Sequence, residues 1–310
     1  ASTMHYRLFF MDALRRVTGR DLFGPYRQHM NAAPALAAIA APKGPGWDED
    51  HQSVVLSPSY GQLDYLAPVL LFLAREYRHP ICQYLGLWDG SLGSIQRTRY
   101  ITPNGEQLLF ELGGYSYLWY DPTVQQAASD CCLSYHFASV AEAYARASWR
   151  PGGLLAAVGK QGTVVHAGGH PVLIELGNTG PAAKMTVRDD GQRASICTNS
   201  GLGEQTMVLK RPSLLTLRHR TGLPMRWWCQ GNPRYDDNGL RWPNGTSVVV
   251  TKGTTASVDP TGYVNERIVG MGKLKCIDPL PSKYPLVVVR PDDGEIELEV
   301  RASEPQAAAP

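Results

Sequence analysis

Apolar residues recur at helical spacing through roughly the first 125 residues of the chain. Over 6–18 they fall near one helix face, and Gly19 follows as a stop signal. The same spacing predicts helices over 26–41, 63–77, 81–88 and 106–121. Pro68 is predicted to lie in a first helical turn or at a kink. Helices in succession, without alternating strands, favour helical hairpins packed side by side.

From about residue 130 the pattern changes to short apolar runs separated by Gly, Asn, Asp and Pro. These runs predict strands over 134–138, 154–158, 172–176, 184–188, 194–197, 205–209, 213–219, 247–251, 284–290 and 295–301. So many strands in one block indicate a sandwich of two antiparallel sheets. The predicted fold class is therefore α+β, with a helical domain over 1–128, a β-sandwich over 129–302 and a disordered tail over 303–310.

The composition narrows the range of partners. The chain has 310 residues, of which 19% are charged and 43% hydrophobic, as in ordinary soluble proteins. A net charge of +2 is too small to indicate nucleic acid or an anionic membrane. No apolar run approaches the roughly 18 residues that span a bilayer. The six cysteines include no CxxC pair, which argues against a structural zinc site, and no cofactor or metal ligand is predicted.

The clearest polar constellation begins at Tyr144. The segment from Tyr144 to Trp149 precedes an apolar strand, a glycine-containing turn and a second strand that is entered through His166 and His170. Arg146 in this segment can hold a carboxylate through two parallel hydrogen bonds. An Arg146 buried beside Trp149, as a structural tie between the two domains, explains the same residues equally well.

Two other places carry candidate sugar contacts. Trp47 stands beside the acidic run 48–50 in a loop rich in Gly and Pro, where it is either a sugar platform or the anchor of a surface turn. In the β-half, His219 and Arg226 lie near the pair Trp227 and Trp228. They form a second basic and aromatic patch in the sequence.

Several short segments occur together in an order that resembles the heparinase II/III-like polysaccharide lyases. They are a tyrosine-bearing helix that ends in Thr18-Gly-Arg-Asp-Leu22, a Trp47-Asp48 loop, Pro103-Asn-Gly105, and Tyr135-His-Phe137 followed by Arg146 to Trp149. The resemblance implies an α/α toroid, incomplete here, that leads into an antiparallel β-sandwich. It also implies that a uronate-containing polysaccharide lies in the groove between them and is cleaved by β-elimination.

In that reaction a base removes the proton next to the carboxylate, and an acid protonates the leaving oxygen. Polar or cationic groups neutralise the carboxylate. The resemblance implies Tyr6 as the acid and His170 or His166 as the base. Substrate contacts would come from Arg146, Trp149 and Tyr144. Where the family often places an Asp two residues after a His, this chain has His170-Pro-Val, which argues against a divalent metal on the β-domain.

The two histidines differ in the residue that comes next in the chain. Pro171 biases the backbone of His170 towards an extended conformation, and a catalytic group benefits from such preorganisation. We therefore expect His170 to face the groove near Arg146 or Tyr144, and His166 to be the more exposed of the two. The alternative is that one of them satisfies backbone groups in a turn.

The resemblance also implies a partner and a location. The partner is an acidic polysaccharide or oligosaccharide, with the groove completed by a missing N-terminal segment or by a second chain. The location is periplasmic or secreted, with the signal absent from this sequence. The alternatives to a lyase are a non-catalytic or degenerate carbohydrate-binding relative and a structural module of a larger chain.

Overall fold

The chain is described by a computed structural model, which defines most of the β-half and parts of the helical half. The described residues are 2–25, 55–58, 61–63, 67–87, 118–125, 132–150, 152–160, 162–176, 184–200, 203–229, 233–236, 238–259 and 285–303.

Three helices lie in the first part of the described chain: α1 (Ser2–Thr18), α2 (Ala67–Tyr77) and α3 (Pro80–Gly86). They confirm the helices predicted from apolar spacing in these regions, and Pro68 lies in the first turn of α2. A two-stranded hairpin, β1 (Val55–Ser57) and β2 (Gly61–Leu63), was not predicted. No described helix is both long and apolar enough to cross a membrane.

Several predictions concern residues outside the described ranges. The helix predicted over 26–41 lies there, as does most of the helix over 106–121. The same holds for the domain boundary after residue 128, for Trp47 and for the tail beyond residue 303. The α/α toroid therefore stays a prediction.

The helices share one apolar core, which we call the helical cluster. It includes Leu8 of α1, the apolar run 69–74 of α2, Ile81 of α3, and Trp119. Phe72 lies at its centre, with ring centroids 4.8 Å from Trp119 and 5.1 Å from Phe23. Aromatic pairs at these distances add to the free energy of apolar burial, so this contact holds segments far apart in the sequence together.

The β-half consists of sixteen strands in the described residues. They are β3 (Ser134–Phe137), β4 (Glu142–Arg146), β5 (Leu155–Gly159), β6 (Gly162–Ala167), β7 (His170–Leu176), β8 (Lys184–Asp189), β9 (Arg193–Ser200), β10 (Gly203–Lys210), β11 (Leu214–Arg220), β12 (Met225–Trp228), β13 (Arg234–Asp236), β14 (Gly239–Arg241), β15 (Ser247–Lys252), β16 (Thr254–Asp259), β17 (Leu286–Arg290) and β18 (Glu295–Arg301).

These strands form two antiparallel sheets of eight. The first sheet has the order β16-β17-β12-β7-β6-β5-β4-β3, and the second has the order β13-β14-β15-β18-β11-β10-β9-β8. A continuous core of Ala, Val, Leu, Ile, Met and Trp side chains from both sheets lies between them. The predicted antiparallel β-sandwich is confirmed.

The two sheets differ in how their faces are buried. In the second sheet buried residues alternate with less buried ones, as in β18, where Ile296, Leu298 and Val300 point into the core. Every residue of β4, β5 and β6 is buried. At these three strands the first sheet is therefore covered on its outward face as well as on its core face.

The helical cluster contacts the first sheet at the end of β4. Trp149, which follows β4, belongs to the helical cluster, and its backbone oxygen accepts a 3.0 Å hydrogen bond from the hydroxyl of Tyr84 in α3. The end of β4 is thereby held against the helices.

Replacing Phe72 with Ala should lower the free energy of unfolding by about 3–5 kcal/mol, because it leaves a cavity between the rings of Phe23 and Trp119. Phe10 on α1 is 61% exposed, so Phe10→Ala is the matched control and should change the free energy by less than about 0.5 kcal/mol. Urea unfolding followed by tryptophan fluorescence measures both. Equal effects of the two substitutions would show that the helical cluster is not a packed core.

Candidate functional site

Strand β4 carries three polar residues on the outward face of the first sheet. Ala143 and Ala145 point into the sandwich core, so the alternate residues Glu142, Tyr144 and Arg146 point away from it. All three are at least 96% buried. A strand that buries a glutamate, a tyrosine and an arginine side by side is a candidate for chemistry, because burying such groups costs stability.

Arg146 is the most unusual of the three, since its side chain is only 1% exposed. Its guanidinium carbon lies 3.7 Å from the centroid of the Trp149 ring, which is a close cation–π contact. Burial lowers the pKa of Arg146 to about 9, and the nearby Tyr135 acts in the opposite direction. Arg146 is therefore still protonated at neutral pH.

The backbone of Arg146 is fixed from the second sheet. The side chain of Arg211, in the turn after β10, donates a 3.1 Å hydrogen bond to the carbonyl oxygen of Arg146. The same guanidinium makes two parallel bonds of 2.8 and 2.7 Å to Asp189, at the end of β8. These bonds from Arg211, together with those from Ser134 and Gly191, lower the pKa of Asp189 to about 2 against the effect of burial. An ion pair thus positions the candidate site.

Tyr144 and Glu142 form a hydrogen-bonded pair. The Tyr144 hydroxyl donates a 2.7 Å bond to a carboxylate oxygen of Glu142. A carboxylate that accepts this bond orients the phenol and can take up or return its proton.

An aromatic rim borders the pair on edge strand β3. Tyr135 pairs in register with Tyr144, and Phe137 pairs with Glu142, so both rings lie on the outward face. The rings of Tyr135 and Phe137 stack with their centroids 6.0 Å apart, and both side chains are only partly buried. They form the solvent-facing side of the site.

His166 shares this face. Arg146 pairs with Leu155, and Leu155 pairs with His166, so the three residues form one row across β4, β5 and β6. Adjacent strands lie about 4.8 Å apart, which places the Cα atoms of Arg146 and His166 roughly 10 Å apart. We call Glu142, Tyr144, Arg146 and His166 the polar cluster.

The expected order of the two histidines is wrong. His166 is only 3% exposed, whereas His170 is partly exposed at the start of β7 and pairs with the core residue Ala167. The reason is the turn. Gly168 and Gly169 both have positive φ and close the hairpin after Ala167, so His166 lies inside β6 and not at its end. A side chain at Gly168 would also collide with Asn244, whose amide donates to the Gly168 oxygen.

The other predicted residues are dispersed. Arg226 is exposed on β12, whereas His219 points between the sheets, so the predicted basic and aromatic patch does not exist as one surface. Tyr6 lies in α1, but its side chain is outside the described part of the structure. Trp149 is buried in the helical cluster and contacts Arg146 there.

His219 instead belongs to a polar layer inside the sandwich. Thr163 and Glu175 are register partners in the first sheet, and Gln205 and His219 are partners in the second. Thr163 donates a 2.8 Å bond to the Gln205 side-chain oxygen, and the Gln205 amide donates a 3.0 Å bond to Glu175. Gln205 thus links the two sheets through their side chains. The sequence contains no motif for this layer; the only sign of it is a polar residue at a core-facing position of each strand.

Glu175 is fully buried and has no strong cationic partner among the described residues. Its second carboxylate oxygen lies 3.8 Å from Nδ1 of His219, and neither atom has a hydrogen-bond partner in the described part of the chain. Burial raises the pKa of Glu175 to about 7 against the effect of the Gln205 bond. Burial also lowers the pKa of His219. Both groups therefore favour their neutral forms.

Neither a metal site nor a family assignment follows from these residues. Within the described ranges, no group of three His, Cys, Asp or Glu side chains is arranged to hold a metal ion. No protein-family model and no curated protein matches the sequence.

Among solved structures the chain is similar to heparan sulfate lyase HepC from Pedobacter heparinus. A mutant of that enzyme aligns with a TM-score of 0.45 and 11% identity, over 89% of this chain and 47% of the other. A second HepC structure gives 0.40 and 10%, over 93% and 58%. YidC from Thermotoga maritima gives 0.25 and 10%, over 49% and 48%. This chain spans about half the length of HepC, and likeness at this level assigns no activity to it.

Replacing Glu175 with Gln should stabilise the protein more as the pH rises. A raised carboxyl pKa means that Glu175 contributes stability below its unfolded pKa of 4.5, and that this contribution is lost as the pH rises through about 7. The amide has no charge to bury, so the advantage of the variant should grow to roughly 3 kcal/mol at pH 8.

Urea unfolding at pH 4.5, 6 and 8 measures this difference. His219 is present in both proteins, so its opposite pH dependence does not enter the comparison. Glu204 on β10 is exposed, which makes Glu204→Gln the matched control, with no change expected across the range. A constant difference between Glu175→Gln and the parent protein would mean that Glu175 is ionised at every pH tested.

Proposed function

We propose that this chain binds a uronate-containing polysaccharide at the outward face of the first sheet and cleaves it by β-elimination. The observation that carries the proposal is the protonated arginine that β4 buries against Trp149, beside a tyrosine–glutamate pair and a histidine. The sequence resemblance to the heparinase II/III-like lyases points to the same chemistry.

Arg146 is the group that meets the uronate carboxylate. Removing the proton next to a carboxylate builds negative charge on that carboxylate, and a fixed cation in a water-poor site stabilises it strongly. The stack on Trp149 and the bond from Arg211 hold the cation in place before substrate arrives. Such preorganisation is what a transition state of this kind requires.

The proton transfers fall to His166 and Tyr144. His166 is the base, since a neutral imidazole accepts a proton at physiological pH. Tyr144 is the acid that protonates the leaving oxygen, and for that step its O–H turns from the Glu142 carboxylate, its partner in the resting site, to that oxygen. Tyr6, the acid implied by the resemblance, remains the alternative for this step.

The aromatic rim supplies the sugar platform. Tyr135 and Phe137 present stacked, partly exposed rings next to the polar cluster. Aromatic faces pack against the apolar faces of sugar rings, so a uronate seated on Tyr135 would lie next to Arg146.

His166→Ala should abolish cleavage of an acidic polysaccharide, while His170→Ala should keep at least about half of the activity. The two substitutions are matched because they remove the same side chain from one hairpin, and only His166 lies in the row with Arg146. Cleavage is measured by the ultraviolet absorbance of unsaturated uronate over a panel of acidic polysaccharides. Loss of activity in His170→Ala alone would show that His170 is the base, as expected from the sequence. Full activity in both variants would show that the base does not lie in this hairpin.

A second function is favoured by the burial of the polar cluster. With Arg146 1% and His166 3% exposed, the described structure leaves little room at the cluster for a polymer to react. A carbohydrate-binding protein without turnover explains the aromatic rim and the buried arginine equally well. Binding of a uronate oligosaccharide by calorimetry, without any rise in absorbance, would select this function.

Arg146→Met should remove binding of a short uronate oligosaccharide and leave the free energy of unfolding within about 1–2 kcal/mol of the parent protein. Methionine fills similar volume against Trp149 without a charge to bury, and such replacements are often neutral. Arg150 is exposed four residues later, so Arg150→Met is the control. Isothermal titration calorimetry and urea unfolding measure both variants. Unchanged binding in Arg146→Met would leave the arginine a purely structural role.

A further inference from the structure

A row of basic side chains crosses the outer face of the second sheet. Seven residues on seven neighbouring strands, from β9 to the edge strand β13, are consecutive register partners. They are Arg193, Lys210, Leu214, Arg301, Ser247, Arg241 and Arg234. Five of the seven are Lys or Arg, and we call these five the basic row.

The basic row points away from the sandwich core. In each of four strands a sequence neighbour of the basic residue points into the core: Ala194, Leu209, Val300 and Leu240. Successive residues of a strand point to opposite faces, and register partners share a face. All five basic side chains are accordingly exposed.

Acidic neighbours balance part of this charge. Arg301 bonds Glu299 at 2.8 Å on the same strand, and Arg241 bonds Asp236 at 2.6 Å. Asp190 lies in the turn beside the row, where its carboxylate accepts bonds from two backbone N–H groups. None of these carboxylates is part of the row itself.

Three of the five cations have no such balance. Arg193, Lys210 and Arg234 form no ion pair with any residue in the described ranges. The other end of the same sheet face is different. There Arg218 and Lys252 pair with Glu295 and Glu297 at distances of 2.6 to 3.0 Å. The cations at that end are therefore paired with carboxylates, whereas Arg193, Lys210 and Arg234 in the row are not.

The spacing of the row restricts what it can bind. Strands lie about 4.8 Å apart, so six steps span roughly 29 Å, and the inner cations stand about 10 Å from one another. A DNA strand carries a phosphate about every 3.4 Å, and single-stranded nucleic acid is usually bound on aromatic side chains. The seven positions of the row contain no aromatic residue. A polymer with sparse charges, such as an acidic polysaccharide, fits this spacing better.

We propose that the basic row is a second binding site for acidic polysaccharide, on the sheet opposite to the polar cluster. The row holds a long polymer by its carboxylate or sulfate groups along the second sheet. The site is inferred from its own charges and spacing. A role of the basic row in delivering the polymer to a cleavage site rests on the proposed function.

The test compares two triple variants of equal charge. Arg193→Ala/Lys210→Ala/Arg234→Ala removes the three uncompensated cations. Lys184→Ala/Arg220→Ala/Arg226→Ala removes three exposed cations outside the row. The probes are hyaluronate and polygalacturonate, with binding measured by calorimetry from low to high salt.

The row variant should lose at least about ten-fold in affinity for both long polymers, since each lost cation no longer releases a counterion. Its plot of log affinity against log salt should also be shallower, by roughly half or more, because three of the five row cations are gone. The control variant should stay within about two-fold of the parent protein.

The proposal is overturned if the row variant binds as the parent does, or if the control variant loses as much. It is also overturned if oligo(dT) binds the parent more tightly than both polysaccharides do, since the row would then serve nucleic acid. A uronate trisaccharide separates the two sites, because it is too short to span the row. The row variant should bind the trisaccharide normally, and Arg146→Met should still bind the long polymers. Absence of cleavage by the parent protein leaves these binding results unaffected.

Discussion

The structure depends on the burial of strands β4 to β6 of the first sheet from both sides. Its core face supplies Ala, Val and Leu to the sandwich, and its outward face is buried around the polar cluster. A strand in that position normally carries apolar residues on both faces. Strand β4 instead places Glu142, Tyr144 and Arg146 there, and the rest of the candidate site follows from that departure.

Burying the charge of Arg146 costs free energy, which indicates that this charge has a functional role. Removing a guanidinium from water costs several kcal/mol, and a desolvated cation–π contact returns about 2 kcal/mol. The stack of Arg146 on Trp149 therefore does not by itself offset the burial of the charge. The bonds from Arg211 to the Arg146 carbonyl and to Asp189 commit further polar groups to holding this backbone still. Costly, preorganised charge is typical of functional sites. Glu175 is a second costly buried group, because burial raises the pKa of its carboxyl against the effect of the hydrogen bond from Gln205.

The sequence predicted the second sheet better than the first, for a physical reason. Strand β18 alternates Glu and apolar residues because one face is wet, and its period is visible in the sequence. Strand β4 faces the core with alanines only, and β6 carries Thr163 and His166 among its apolar residues, so neither reads as an apolar run, whereas the equally buried β5 does. Neither segment was predicted as a strand. His166 was therefore not placed within β6.

The sequence predicted most of the residues of the candidate site, but not how they are arranged. The segment from Tyr144 to Trp149 was expected to meet His166 and His170, with His170 facing Arg146 or Tyr144. Tyr144, Arg146 and His166 do share one face of the first sheet, and Trp149 stacks on Arg146. His170 lies outside that row. Glu142 and Tyr135 were not identified, because their roles come from strand register. His219 was expected on a surface beside Arg226, since sequence proximity does not reveal that it points inward.

The most direct test of the account is a crystal structure of the protein with a bound uronate oligosaccharide. The account predicts a uronate ring against Tyr135, with its carboxylate oxygens within about 2.7–3.2 Å of the Arg146 guanidinium. An oligosaccharide bound only at other surfaces, with Arg146 still covered by Trp149 and out of contact with it, would contradict the assignment of the outward face as the site.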